Sequence, residues 1–201
     1  MMERSSRFIS LSGLSGISAG LWAIAGATAV YLYWGITPFV SHHYFYSTTT
    51  LSQPKMDYRI FFFSVAAIVL LGAIASGIFF TTRQARRTGQ KTWDALTRRL
   101  LLHLAIPLAT GGIFCIALFT YRLGGLIAPT TLIFYGLALL NASKYTLPDI
   151  QWLGCLEIAL GLIALFFLGY GLEFWTLGFG VLHIVYGTIM YNKYERNPAA
   201  V

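Results

Sequence analysis

Six stretches of this chain stay apolar for about the length a helix needs to cross a bilayer, and that pattern constrains the fold more than any motif does. They run Phe8–Trp34, Tyr58–Thr81, Leu100–Tyr121, Leu126–Ala142, Ile150–Tyr170 and Phe174–Tyr191. An α-helix rises about 1.5 Å per residue, so covering the hydrocarbon takes about 20 residues. The fourth and sixth stretches are shorter than that, and their ends are the least well marked. Of the 201 residues, 57% are hydrophobic and only 10% charged, whereas soluble domains carry roughly 25% charged residues. A water-soluble fold of this size has no way to hide so much apolar surface. Lipid must be part of the solvent. The expected fold is all-α: a polytopic membrane helical bundle forming a single transmembrane domain over residues 1–201.

Cation placement orients the six spans. With the N-terminus in the cytoplasm, Arg4, Arg7, Arg83, Arg86, Arg87, Lys91, Arg98, Arg99, Lys144, Lys193 and Arg196 fall inside. Only Lys55, Arg59 and Arg122 fall outside. Eleven of the 14 cations thus lie on the side the positive-inside bias requires, with both termini cytoplasmic. The same placement explains the net charge of +7 without nucleic acid, since the cations flank apolar runs and no aromatic stacking pattern interleaves them. The expected partners are the lipid bilayer, anionic headgroups against the 83–99 loop, and a homo-oligomer or membrane partner.

The first stretch has a competing reading. MMERSSR, an apolar run and the small-residue site Ala27–Ala29 outline a cleavable signal peptide. The run is too long for that, however, and Ser12, Gly16 and Gly20 recur every four residues with Gly13, Ala23 and Ala27 beside them. Small residues at that spacing form a stripe on which a second helix closes, so a retained span is expected. Links between the later spans are tight, which makes consecutive spans antiparallel neighbours. The outer segment Gly35–Asp57 is rich in tyrosine and phenylalanine and suits an interfacial surface helix.

Two spans carry groups that hydrocarbon does not tolerate freely. In LGCLEIALGLIALFF, Glu157 is the one ionisable carboxylate. A charge at bilayer depth costs about 3 kcal/mol on insertion scales, so this acid faces protein, is neutral, or has a partner. Gly154, Glu157 and Gly161 share one helical face of small residues. On the sixth span Thr176, Gly180, His183 and Gly187 again share a face. A hairpin turning near Gly171–Leu172 sets Glu157 level with Tyr186 and about 4.5 Å in depth from His183. An imidazole, with a phenol beside it, is the expected company of the acid. Burial and mutual attraction act on such a pair in opposite senses, leaving open a neutral hydrogen-bonded pair or an ion pair. Two roles stay open as well: a polar clasp that fixes helix register, or a site for a proton, an ion or a small solute, which histidine's titration near neutrality would suit.

Other polar residues are less telling. His103, Asn141, Glu157 and His183 all fall in the cytoplasmic half of their spans, which suggests a polar pocket open to that side. Pro107 withdraws a backbone donor within the third span and so helps to shape it, while Pro129 sits in the first turn of the fourth, where proline is tolerated. A hairpin near Leu123–Gly124 sets His103 level with Lys144, whose simplest role is snorkelling to the headgroups. No HExxH-like spacing is present, and a bis-histidine haem would leave His103 and His183 about 9 Å apart in depth. The neighbouring His42 and His43 read as a solvated loop, and Cys115 and Cys155 as packing. No metal, no cofactor and no catalytic residue is expected.

The blocks RFISLSGLSGISAG, LNASKYTLPDIQWLG and FWTLGFGVLHIVYG resemble an uncharacterised family of bacterial six-helix membrane proteins, of the kind found in Bacteroidota. The resemblance covers most of the chain. It implies a multi-pass protein of the bacterial inner membrane and carries no known activity or site residue. Three functional readings follow from the whole: a small transporter or channel-like protein with Glu157 and His183 at its polar site, an accessory or sensory subunit in which that pair is structural, and, less favoured, an intramembrane enzyme using Glu157 as acid–base.

Overall fold

In the computed structural model the described residues are 12–35, 37–40, 58–89 and 93–196, and all regular structure among them is helical. Helix α1 spans Gly13–Trp34, α2 Tyr58–Arg87, α3 Ala95–Thr120, α4 Ile127–Ala142 and α5 Ile150–Ala164. The last rod runs Leu168–Arg196. It is built from α6 (Gly171–Trp175), a π-helical segment Thr176–Leu182, α7 (His183–Met190) and a second π-helical segment Tyr191–Arg196. Five helices are long and apolar enough to cross a membrane: Gly13–Trp34, Ile60–Arg87, Ala95–Thr120, Gly124–Tyr145 and Leu168–Arg196.

The shortest of the six apolar helices is α5, not the fourth or sixth. It stops at Ala164, six residues before the expected Tyr170, so its 15 residues rise about 22 Å. The chain turns at Leu165–Phe167, and the rod that follows begins earlier and ends later than Phe174–Tyr191. Elsewhere the helices outlast the apolar runs. Beyond Thr81, α2 continues through Arg86 and Arg87, cations that suit the negative end of the helix dipole. Before Leu100, α3 begins at Ala95 because Asp94 caps it, its carboxylate accepting from the Thr97 amide at 2.7 Å. Apolar runs mark the depth of the slab, whereas backbone hydrogen bonds and caps mark the helix. Pro107 lies within α3, which runs through it unbroken. Gly35 ends α1 in the left-handed conformation, φ 62°.

Across the bundle the order is α2, α1, the last rod, then α4 with α5, and α3 beyond α4. The α1 stripe closes on the rod. A β-carbon added at Gly20 would stand 2.6 Å from the Gly180 carbonyl, and one at Gly187 would stand 2.6 Å from the carbonyl of Gly13. Gly16 lies against Gly187 in the same seam. The α5 glycines close instead on α4. A β-carbon at Gly136 would meet the Gly154 carbonyl at 2.6 Å, and one at Gly161 the Pro129 carbonyl at 2.9 Å. The two small-residue faces that the sequence assigns to one hairpin therefore serve two different seams. Thr176 bonds back to the Leu172 carbonyl in its own helix.

Side chains on α2 and α3 point outward as helices that face lipid would have them. Leu71, Ile78, Ile106 and Ile113 are each about two-thirds exposed, at 65, 64, 65 and 69%. Cys155 departs from the packing expectation by being exposed, while Cys115 is half-buried. The outer segment beyond residue 40, with His42, His43 and Lys55, lies outside the described residues, as do Arg4, Arg7 and Lys91.

Candidate functional site: a buried glutamate, histidine and tyrosine

Glu157 sits midway along α5 with no exposed surface, and His183, at the start of α7, is 5% exposed. His183 Nδ1 stands 3.4 Å from Glu157 Oε1. The ring is held at both nitrogens: Nδ1 lies 3.0 Å from the Gly178 carbonyl and Nε2 2.7 Å from the Tyr135 hydroxyl. A carbonyl only accepts, so Nδ1 carries the hydrogen and donates it there. In the neutral ring Nε2 then accepts from Tyr135. Because the single Nδ1 hydrogen is already engaged, the 3.4 Å approach to Glu157 is a close contact without hydrogen-bond geometry. Both carboxyl oxygens of Glu157 are buried without a hydrogen-bond partner among the described residues. Such orphans are rare in folded proteins and need a reason.

Local backbone makes this meeting possible. The earlier turn brings Glu157 level with the first π-helical segment rather than with Tyr186. A β-carbon at Gly178 would stand 2.6 Å from Glu157 Oε2, so only glycine admits the carboxylate there. Helical side chains lean towards the N-terminus of their helix, and the His183 ring accordingly reaches back one turn to Gly178. π-Helical turns of this kind recur at functional sites. Around the ring, Phe179 stacks with a centroid distance of 5.9 Å, and Tyr135 and Trp175 lie 4.9 and 5.1 Å from Phe179.

Other expected members lie elsewhere. Tyr186 does not reach Glu157; its ring packs beside the Leu139, Ile150 and Leu153 cluster, with its hydroxyl buried and unpartnered among the described residues. His103 is exposed and hydrogen-bonded to Tyr145 at 2.9 Å with stacked rings, not paired with Lys144. Asn141 is half-buried near the end of α4 and takes no part in the cluster. Tyr135 is the member that spacing did not reveal. Its signal was position alone: tyrosines favour the interfaces, and this one lies in mid-span.

A second polar group ties the end of the rod to its neighbours. Lys193 Nζ contacts both Asp149 oxygens, at 3.1 and 2.9 Å, and the Tyr194 hydroxyl donates to the same carboxylate at 2.6 Å. Glu195 accepts from the Ser12 hydroxyl at 3.3 Å and from the Gly13 amide, capping α1 from across the bundle. Among the described residues no three His, Cys, Asp or Glu side chains stand together as a metal site would require. No protein family, curated protein or solved structure matches the chain, so what can be said of its function rests on this geometry.

Proposed function

We propose that this is a small transporter or channel-like protein of the bacterial inner membrane, with Glu157, His183 and Tyr135 as the polar site that handles a proton, an ion or a small solute. One observation carries the reading. The bundle encloses a carboxylate, leaves both of its oxygens without a bonding partner among the described residues, and sets an imidazole 3.4 Å away. A purely structural polar group would be expected to have its hydrogen bonds made. Six spans with both termini in the cytoplasm fit this reading. Glu195 reaches Ser12, so both described chain ends lie at one end of the bundle. Exposed Arg83, Arg86 and Arg87 near the end of α2 and exposed Arg98 and Arg99 near the start of α3 flank the connection that holds exposed Trp93, an arrangement suited to anionic headgroups. The shortness of α5 is tolerable because its glycine face is covered by α4 rather than by lipid.

The test is flux in proteoliposomes under an imposed pH gradient. Glu157→Gln and His183→Gln proteins should fold as the unmutated chain does and lose pH-dependent flux; flux that survives in both variants overturns the proposal. Complete enclosure of the pair favours a second reading, an accessory or sensory subunit in which the cluster is structural and the glycine faces or the open apolar faces meet a membrane partner or a second copy. No flux in the unmutated chain, together with unfolding of Glu157→Gln in detergent, would mark that case.

A further inference from the structure

From the enclosed pair, polar groups among the described residues lead towards the end of the rod. Tyr186 follows His183 by one turn towards the end of the rod. Its buried hydroxyl has no hydrogen-bond partner among the described residues. Its ring and that of Tyr135 pack against the same cluster of Leu139, Ile150 and Leu153, and Ile150 is the chain neighbour of Asp149. Asp149 in turn is held by Tyr194 and by Lys193, whose side chain is 44% exposed. Asp149, at the N-cap of α5, precedes Glu157 by eight residues, about 12 Å of depth. The line therefore runs from the site to the basic end of the bundle, where α1 begins and the rod stops. Elsewhere around the pair, Gly16 and Gly20 of α1 back the rod at its glycines, and Phe179 stacks on the His183 ring with Trp175 beside it. Among the described residues, Tyr135 from α4 is the titratable group bonded to the pair, and Tyr186 is the next one along the rod.

A metal cation offers a poor fit here, because hard cations take about six or more oxygen ligands. The pair supplies two carboxylate oxygens and a Gly178 carbonyl already engaged by His183. Every group on the line, by contrast, can accept or release a hydrogen. We infer that the species exchanged at Glu157 is the proton itself, and that it passes to and from the basic end along Tyr186, with Asp149, Tyr194 and Lys193 as the outer latch. This deepens the functional reading above and depends on it. An arriving proton binds the Tyr135 hydroxyl oxygen while that hydroxyl's own proton moves to His183 Nε2. The imidazolium then swings its Nδ1 hydrogen from the Gly178 carbonyl to Glu157 Oε1, 3.4 Å away, and gives up that proton there, leaving the Nε2–H tautomer. One proton has entered, the carboxylate has become the acid, the ring is neutral again, and release reverses the steps.

Infrared spectroscopy of the full chain in liposomes tests this directly. The carboxyl band that disappears in Glu157→Gln is followed after transfer to heavy water. In the unmutated chain it should exchange readily. Tyr186→Phe, which removes one unpartnered oxygen, should slow that exchange about a hundredfold, as loss of a positioned proton-transfer group does. Asp149→Asn should slow it too, and Tyr145→Phe, whose hydroxyl serves exposed His103 off the line, should leave it unchanged. A band that neither titrates nor exchanges sinks the proton site and the route together. Normal exchange in both Tyr186→Phe and Asp149→Asn sinks the route alone, and Asp149→Asn decides should Tyr186→Phe misfold.

Discussion

Replacing Glu157 by methionine separates a working site from a clasp, because the two roles predict opposite signs. Methionine matches the glutamate side chain closely in length and volume but carries no acceptor oxygens. In the folded chain both of those oxygens are buried without a partner among the described residues. His183 keeps its Gly178 and Tyr135 bonds whether or not the carboxylate is there. Each unsatisfied buried polar group costs about 1–3 kcal/mol. Glu157→Met should therefore be more stable by about 1–3 kcal/mol, while its pH-dependent flux vanishes. Reversible unfolding in mixed micelles, followed by circular dichroism against denaturing-detergent fraction, measures the difference. A loss of stability larger than about 1 kcal/mol would refute this reasoning, since breaking a pair that holds the helices together is costly.

Two further predictions concern the seams. Gly136→Ala puts a methyl 2.6 Å from the Gly154 carbonyl, backbone against backbone, and should destabilise by about 1–3 kcal/mol in the same unfolding assay; Gly112→Ala, where nothing lies within 4 Å, should be neutral or stabilising by up to about 1 kcal/mol. At Asp149 burial acts to raise the carboxyl pKa, but the bonds from Tyr194 and Lys193 outweigh it and hold the group below its ordinary 3.8. An acid depressed by folding stabilises fully above its unfolded pKa and loses that contribution as pH falls through its folded one. Hydrogen-exchange protection along Tyr191–Arg196, taken relative to the intrinsic rate at each pH, should thus hold above about pH 4 and fall on acidification below it; protection unchanged down to pH about 2 would show that the latch does not depend on this carboxylate.

Much of this protein could be read without coordinates. Apolar run length picks out the five helices long and apolar enough to cross a membrane and overestimates α5, because hydrocarbon demands that every backbone group be satisfied within its own segment while a turn such as Leu165–Phe167 leaves no mark on hydropathy. The period of the small residues picks out faces that let backbones touch, and the expense of a charge at depth makes Glu157 stand out from its neighbours. These are properties of a segment meeting its solvent, and a sequence carries them locally. Which face meets which helix is decided elsewhere. Gly154 and Gly161 close on α4, Gly180 and Gly187 on α1, because the chain turns at Leu165–Phe167 and the rod after it is partly π-helical. That turn and that winding set the register, bring Gly178 rather than Tyr186 to the carboxylate, and draw Tyr135 in from a helix two elements away. Register depends on the sum of all interhelical contacts, so it exists only once the bundle has packed.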